Sequence, residues 1–178
     1  MPYLTCSSCG LPTYCVSEGT CPACGTPLRR GRPPAAPRHP HEPEIQAKLS
    51  MARRELAADA ALLSEIRDGR EHVRWAVGEG GYAGASAPLR DTICERLLDG
   101  RIPSVVPDAA AEPQLNHLES VREGTIRGYI GVPFETADAR AYVLCCLARE
   151  ARPDLGEADV RFLQGLAESL RSLLEPAG

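Results

Sequence analysis

Of the residues in this 178-residue chain that could do chemistry, the eight cysteines come first, and four of them are spaced for a metal. Cys6-Ser-Ser-Cys9-Gly10 and Cys21-Pro-Ala-Cys24-Gly25 are two C-x-x-C-G turns, with eleven residues between Cys9 and Cys21. A two-residue gap lets both thiolates of a turn reach one ion, and the following glycine allows the bend that aims amide N–H groups at sulfur. Four thiolates, Cys6, Cys9, Cys21 and Cys24, favour zinc, with iron as the chemical competitor. They fill a tetrahedron, so the expected ion is structural and supplies most of the folding energy of a segment poor in apolar residues. The alternative is loose thiols or a redox pair. Cys15 is a spare thiol or a replacement for one of the four.

The elements that must position the remaining chemistry follow in chain order. Residues 29–43 carry five prolines in fifteen positions and read as an extended basic linker. Ile45, Leu49, Ala52, Leu56, Asp59, Leu63 and Ile66 trace a 3.5-residue seam broken by Asp59, so a linking helix is expected over 44–70, ended by Gly69. Residues 71–77 alternate, with Val73, Trp75 and Val77 on one face, and are expected to form the first strand. Gly78 to Ala87 holds four glycines and one tyrosine, the composition of a mobile lid. A short helix capped by Asp91 carries Ile93, Leu97 and Leu98 on its apolar side and ends at Gly100. A short extended piece covers Ile102 to Val106. Residues 126–134 and 141–148 are apolar runs joined by a polar turn, the pattern of a hairpin. Val160, Leu163, Ala167, Leu170 and Leu174 form a second 3.5-residue seam on a C-terminal helix. Two seams flanking one domain point to a homodimer through these helices. The alternative is that both stripes cover the domain's own sheet.

The N-terminal cysteine pairs resemble a zinc ribbon. Pro88, Leu89, Asp91, Thr92, Cys94, Gly100, Pro103, Pro107, Asp108 and Ala109, followed by Gly128-Tyr-Ile-Gly-Val-Pro133 and Cys145-Cys146, resemble a GAF domain of the bacterial subgroup often linked to cyclic-dinucleotide signalling proteins. The likeness spans roughly residues 70–174. The expected fold class is α+β: a GAF-like antiparallel sheet with flanking helices over 71–178, behind a zinc ribbon at 1–28.

That resemblance implies a ligand pocket beside the sheet, near residues 84–120. Its expected lining is Trp75, Tyr82, Cys94, Asp108, His117, Tyr129 and one of Cys145 and Cys146, with Cys146 chosen. Adjacent strand residues face opposite ways, so Tyr142, Leu144 and Cys146 share one face while Val143, Cys145 and Leu147 share the other. Each candidate also has a plainer role: cysteines and Trp75 as core, Asp108 as a turn cap, His117 as a surface residue.

Composition limits the function. The net charge is −4, with +3 in residues 1–40 and −7 beyond, so only the N-terminal segment attracts nucleic acid. Arg30-Gly-Arg-Pro33 is similar to an AT-hook core, but four residues carry little information and a solubilising basic linker is the preferred reading. No signal peptide or membrane-length apolar run is visible, and free thiols fit a cytoplasmic location. The leading expectation is a small-molecule or redox-sensing regulatory protein whose ribbon and basic linker meet a protein or nucleic-acid partner. One alternative is a cysteine enzyme resembling free methionine-R-sulfoxide reductase. That family places a catalytic cysteine after the aspartate that Asp108 matches, and Ala109 to Tyr129 contains none. A second alternative is a non-sensing dimeric scaffold.

Overall fold

The computed structural model describes residues 39–175, together with the backbone of four short strands nearer the N-terminus. The chain divides into two units, Met1–Pro40 and His41–Gly178. In the first, β1 (Tyr3–Thr5) pairs antiparallel with β2 (Pro12–Tyr14), and β3 (Gly19–Thr20) with β4 (Pro27–Leu28). In sequence, each pair brackets one C-x-x-C-G segment. Cys6, Cys9, Cys15, Cys21 and Cys24 themselves lie outside the described residues, as does the Arg30–Pro33 motif.

The second unit is a six-stranded antiparallel sheet with helices on both faces, an α+β architecture. Its strands are β5 (Ala60–Arg67), β6 (Arg70–Gly78), β7 (Ser86–Pro88), β8 (Val105–Val106), β9 (Gly128–Glu135) and β10 (Ala141–Ala148). The spatial order is β7-β6-β5-β10-β9-β8, so β5 and β10 are central. The β9–β10 hairpin forms as the sequence implies, with Thr136 N–H donating to Arg140 O at 3.0 Å across the turn.

One face of the sheet is closed by two helices. α1 (Glu42–Glu55) starts with Pro43 in its first turn and carries Glu42 and Glu44 near its N-terminus and Arg53 and Arg54 near its C-terminus, all favourable to the helix dipole. α4 (Glu157–Leu174) begins where Asp159 accepts a hydrogen bond from Gly156 N–H at 2.8 Å. Ile45, Leu49 and Ala52 of α1 and Leu163, Leu166, Ala167, Leu170 and Leu174 of α4 are buried in one cluster with Leu63, Trp75, Ile130, Leu144 and Cys146. Both seams are therefore covered inside a single chain. A homodimer through these helices would have to use their outer faces, where Met51 is 41% exposed. No described helix is long and apolar enough to cross a membrane.

Several expectations need correcting. The first helix does not run from 44 to 70. It stops at Glu55, the chain turns through Ala57 at φ +45°, and Asp59 N–H already bonds to Leu147 O in the sheet. Residues 60–67 form a central strand buried on both sides. Such a strand is a largely continuous apolar run, and its Leu63 and Ile66 satisfied the heptad count by coincidence. Asp68 and Gly69, both at positive φ, make the two-residue turn into β6 rather than a helix stop.

The alternation over 71–77 also fails. Leu63 pairs with Trp75 but Ser64 pairs with Val73, so Arg74 is an extra, bulged residue. Val73 consequently faces the opposite side of the sheet from Trp75 and Val77. Asp91 does not cap α2 (Ile93–Leu98); Thr92 occupies that position, and its hydroxyl bonds back to Leu89 O at 2.9 Å. Leu98 lies on the exposed side of α2, at 38% exposure.

Candidate functional site

The second face of the sheet is covered by short pieces: α2, α3 (Glu119–Arg122) and the loops between them. Six-residue and four-residue helices cannot tile a sheet as α1 and α4 do. They leave a cleft of ≈ 230 Å³ between β5, β6, β9 and β10 below and the segments 82–94 and 120–126 above. Its walls are mainly apolar, including Leu62, Val73, Ile93, Ile126 and Leu147.

At its base the sheet brings together a polar group that is widely spread in sequence. Glu71 of β6 accepts hydrogen bonds at Oε1 from Ser64 Oγ at 2.7 Å and from Cys94 Sγ at 3.4 Å. Cys94 Sγ also lies 3.9 Å from the Tyr129 hydroxyl, and Cys145 lines the same cleft. Ser64, Glu71, Cys94, Tyr129 and Cys145 are all buried. Gly131 makes the tyrosine placement possible. Any Cβ at that position would collide with the Tyr129 ring, only 2.7 Å from Cζ, so the ring lies flat along β9 where a side chain would otherwise stand.

Two residues beyond Cys94 stands Arg96, which is 6% exposed. Its guanidinium donates to Arg90 O, to Thr92 O at 3.0 Å and to Glu95 Oε2 at 3.0 Å, fastening the turn that leads into α2. A guanidinium has no acceptor, so His117 Nε2 at 3.2 Å must accept from Arg96, which places the ring proton of neutral His117 on Nδ1.

The electrostatics of the cluster favour protonated groups. The neighbouring Cys145 thiol, burial and the Glu71 carboxylate, in that order, push Cys94 well above the usual thiol value. Burial first, then Cys94, Cys145 and Glu71, raise the Tyr129 hydroxyl. Tyr82 is raised by burial and opposed by Arg149. A thiol kept protonated is a poor nucleophile, so the arrangement binds better than it attacks.

Of the seven residues expected to line a pocket, Tyr82, Cys94 and Tyr129 line this cleft, and four do not, although Asp108 borders a separate groove beside Pro103 and Glu112. Trp75 is on the helix side because of the bulge at Arg74, with that guanidinium 5.8 Å from its ring centroid. Cys146 also faces the helices, and Cys145 takes the cleft side. Asp108 is engaged outside the cleft by Arg127, through paired 2.8 Å hydrogen bonds that lower its pKa. His117 is exposed and held on Arg96.

Sequence reasoning missed Ser64, Glu71 and Arg96. Asp68-Gly69 was the signal that could have found the first two. Read as a hairpin turn, it makes 60–67 and 70–78 paired strands and places Ser64 near Glu71.

No family model and no curated protein sequence matches the chain. Solved structures do. The chromophore-binding domain of Stigmatella aurantiaca phytochrome P1 is similar with a TM-score of 0.60 at 14% identity, over 79% of this chain. The chain spans only 55% of that structure's length. The GAF domain of an Acinetobacter phosphoenolpyruvate-protein phosphotransferase matches with a TM-score of 0.60 and 15% identity, over 74% of this chain and 80% of that one. Free methionine-R-sulfoxide reductase from Neisseria meningitidis, in complex with its substrate, matches with a TM-score of 0.58 and 16% identity, over 74% of this chain and 75% of that one. The likeness lies in the fold: the larger unit, a six-stranded antiparallel sheet with flanking helices, has the GAF fold.

Proposed function

We propose that this chain is a ligand-responsive regulatory protein. Its GAF-fold unit takes a small organic molecule in the cleft, with Tyr82, Cys94 and Tyr129 against it. Its N-terminal segment is a zinc ribbon, with Cys6, Cys9, Cys21 and Cys24 holding the ion, that meets a protein or nucleic-acid partner. The observation that carries the reading is the cleft itself: an apolar enclosure around one cluster of buried polar groups, the usual design of a small-molecule site. Residues 78–85, rich in positive-φ glycines, supply a segment able to open and close over it.

The protonated, buried state of Cys94 weighs against both a redox sensor and a cysteine enzyme built on this cleft, since each needs an accessible thiolate. Native mass spectrometry of the full chain purified from its own host tests both halves of the proposal. The expected species carries one zinc and an additional small molecule that dissociates on unfolding. Protein at the apo mass with all five N-terminal thiols titrating freely would overturn the zinc assignment. An empty cleft that no small-molecule mixture stabilises against heat would overturn the sensing role.

A further inference from the structure

The charge of the cleft narrows the chemistry of its occupant. Glu71 is 9% exposed and lines the cavity. Its Oε1 is satisfied by Ser64 and Cys94, whereas Oε2 accepts no hydrogen bond among the described residues and is not sealed from solvent. Among the described residues the other ionisable carboxyl on the lining is Asp91, and no Lys, Arg or His lines the cleft. The arginines of the surrounding segments are engaged elsewhere. Arg70 donates to Ser86 Oγ at 3.1 Å, Arg74 pairs with Glu65 at 2.8 Å, Arg96 is held by backbone carbonyls and Glu95, and Arg149 pairs with Glu79 at 3.1 Å.

Resting on the binding role proposed above, we infer that the cleft takes a small organic cation, an alkyl- or aralkylammonium, with Glu71 Oε2 as its counter-charge. A ligand that displaces water from Oε2 must replace the lost hydrogen bond, and an ammonium does so with a charge-assisted one. Tyr82 and Tyr129 both line the cleft, and an aromatic ring attracts a cation more than a neutral group. A phosphate or carboxylate would instead meet the buried Glu71 carboxyl, which has no cationic partner among the described residues, whereas the exposed Asp91 is paired with Arg90 at 3.8 Å. Nucleotides and acidic metabolites are thereby disfavoured. At ≈ 230 Å³ the space suits a compact molecule rather than a tetrapyrrole or a dinucleotide.

Three probes of one shape and different charge test this on the full chain: benzylamine, benzyl alcohol and benzoate, titrated by calorimetry or ligand-observed NMR. Benzylamine is expected to bind at least about tenfold more tightly than benzyl alcohol, with benzoate weakest. In Glu71→Gln, which keeps the Oε1 acceptor, the amine should fall to the level of the alcohol. The rank order in the unaltered protein decides the matter even where that variant folds poorly. If the alcohol equals the amine, or benzoate exceeds it, the cation assignment is overturned and the binding role stands. If none of the three binds, both are overturned.

Discussion

The two faces of the central sheet are built from the same strands yet solve different problems. On the helix face, 14-residue and 18-residue helices lay continuous apolar stripes on the strands, and Leu49, Leu63, Leu144, Leu163 and Leu170 are fully buried. On the cleft face, short helices and glycine-rich loops leave a space whose base is polar. One side supplies stability; the other gives up some packing and leaves an open space. A sheet serves both ends because its side chains alternate, so Cys145 and Cys146, adjacent in sequence, belong to different environments.

The largest expected effect is on the solid face. Leu170→Ala should cost ~3 kcal/mol in equilibrium denaturation, because helices fixed on both sides cannot collapse into the void. Leu62→Ala, whose side chain borders a space that already exists, should cost roughly half as much, since little new cavity is created. Equal losses would mean that the cleft face is packed as tightly as its opposite.

Glycines sharpen the contrast at smaller magnitude. Gly131→Ala should destabilise by about 1–3 kcal/mol by forcing the Tyr129 ring off β9, and should abolish cleft binding with it. Gly165→Ala, in the middle of α4 with nothing within 4 Å of the new methyl, should instead stabilise by ~0.5–1 kcal/mol. A neutral Gly131→Ala would remove the account given for the tyrosine.

The smallest effect is with pH. Cys94 and Cys146, one on each face, have thiol pKa values raised above 9.0, chiefly by the Cys145 neighbour and burial for the first and by burial for the second. The folded protein therefore holds protons that the unfolded chain releases. This stabilisation is complete below the unfolded thiol pKa and is lost progressively as pH rises through and beyond it. Denaturation curves should show stability falling above pH ~9 and flat on this account between 7 and 8. Both thiols should resist a disulfide reagent until the protein unfolds. Fast labelling of Cys94 in the native state would reopen the redox reading and shift the functional weight from Glu71 to the thiol.

Much of the fold was legible in the sequence, and the failures have identifiable causes. The β9–β10 hairpin, α4 and the opposite facing of Cys145 and Cys146 follow from periodicity, because each element has one buried side and a clear polar boundary. The strand at 60–67 was hidden by its burial on both sides: a run such as Ala60-Ala-Leu-Leu has no polar face to reveal its period. The bulge at Arg74 was hidden for a different reason. It arises from pairing with β5, and nothing within 71–77 marks it. Those two features account for the missed Ser64 and Glu71 and for the misplaced Trp75.

By itself, the sequence determined the α+β character, the β9–β10 hairpin, the stripes that α1 and α4 bury, and an N-terminal cysteine spacing suited to a metal. All of these are local patterns of period, turn and spacing. Only the tertiary structure decided that a carboxylate on β6, a hydroxyl on β5, a thiol on α2 and a phenol on β9 converge at the base of one cleft. Their meeting depends on strand order and on a one-residue slip in register, and those are set by the packing of the whole sheet rather than by any segment of it.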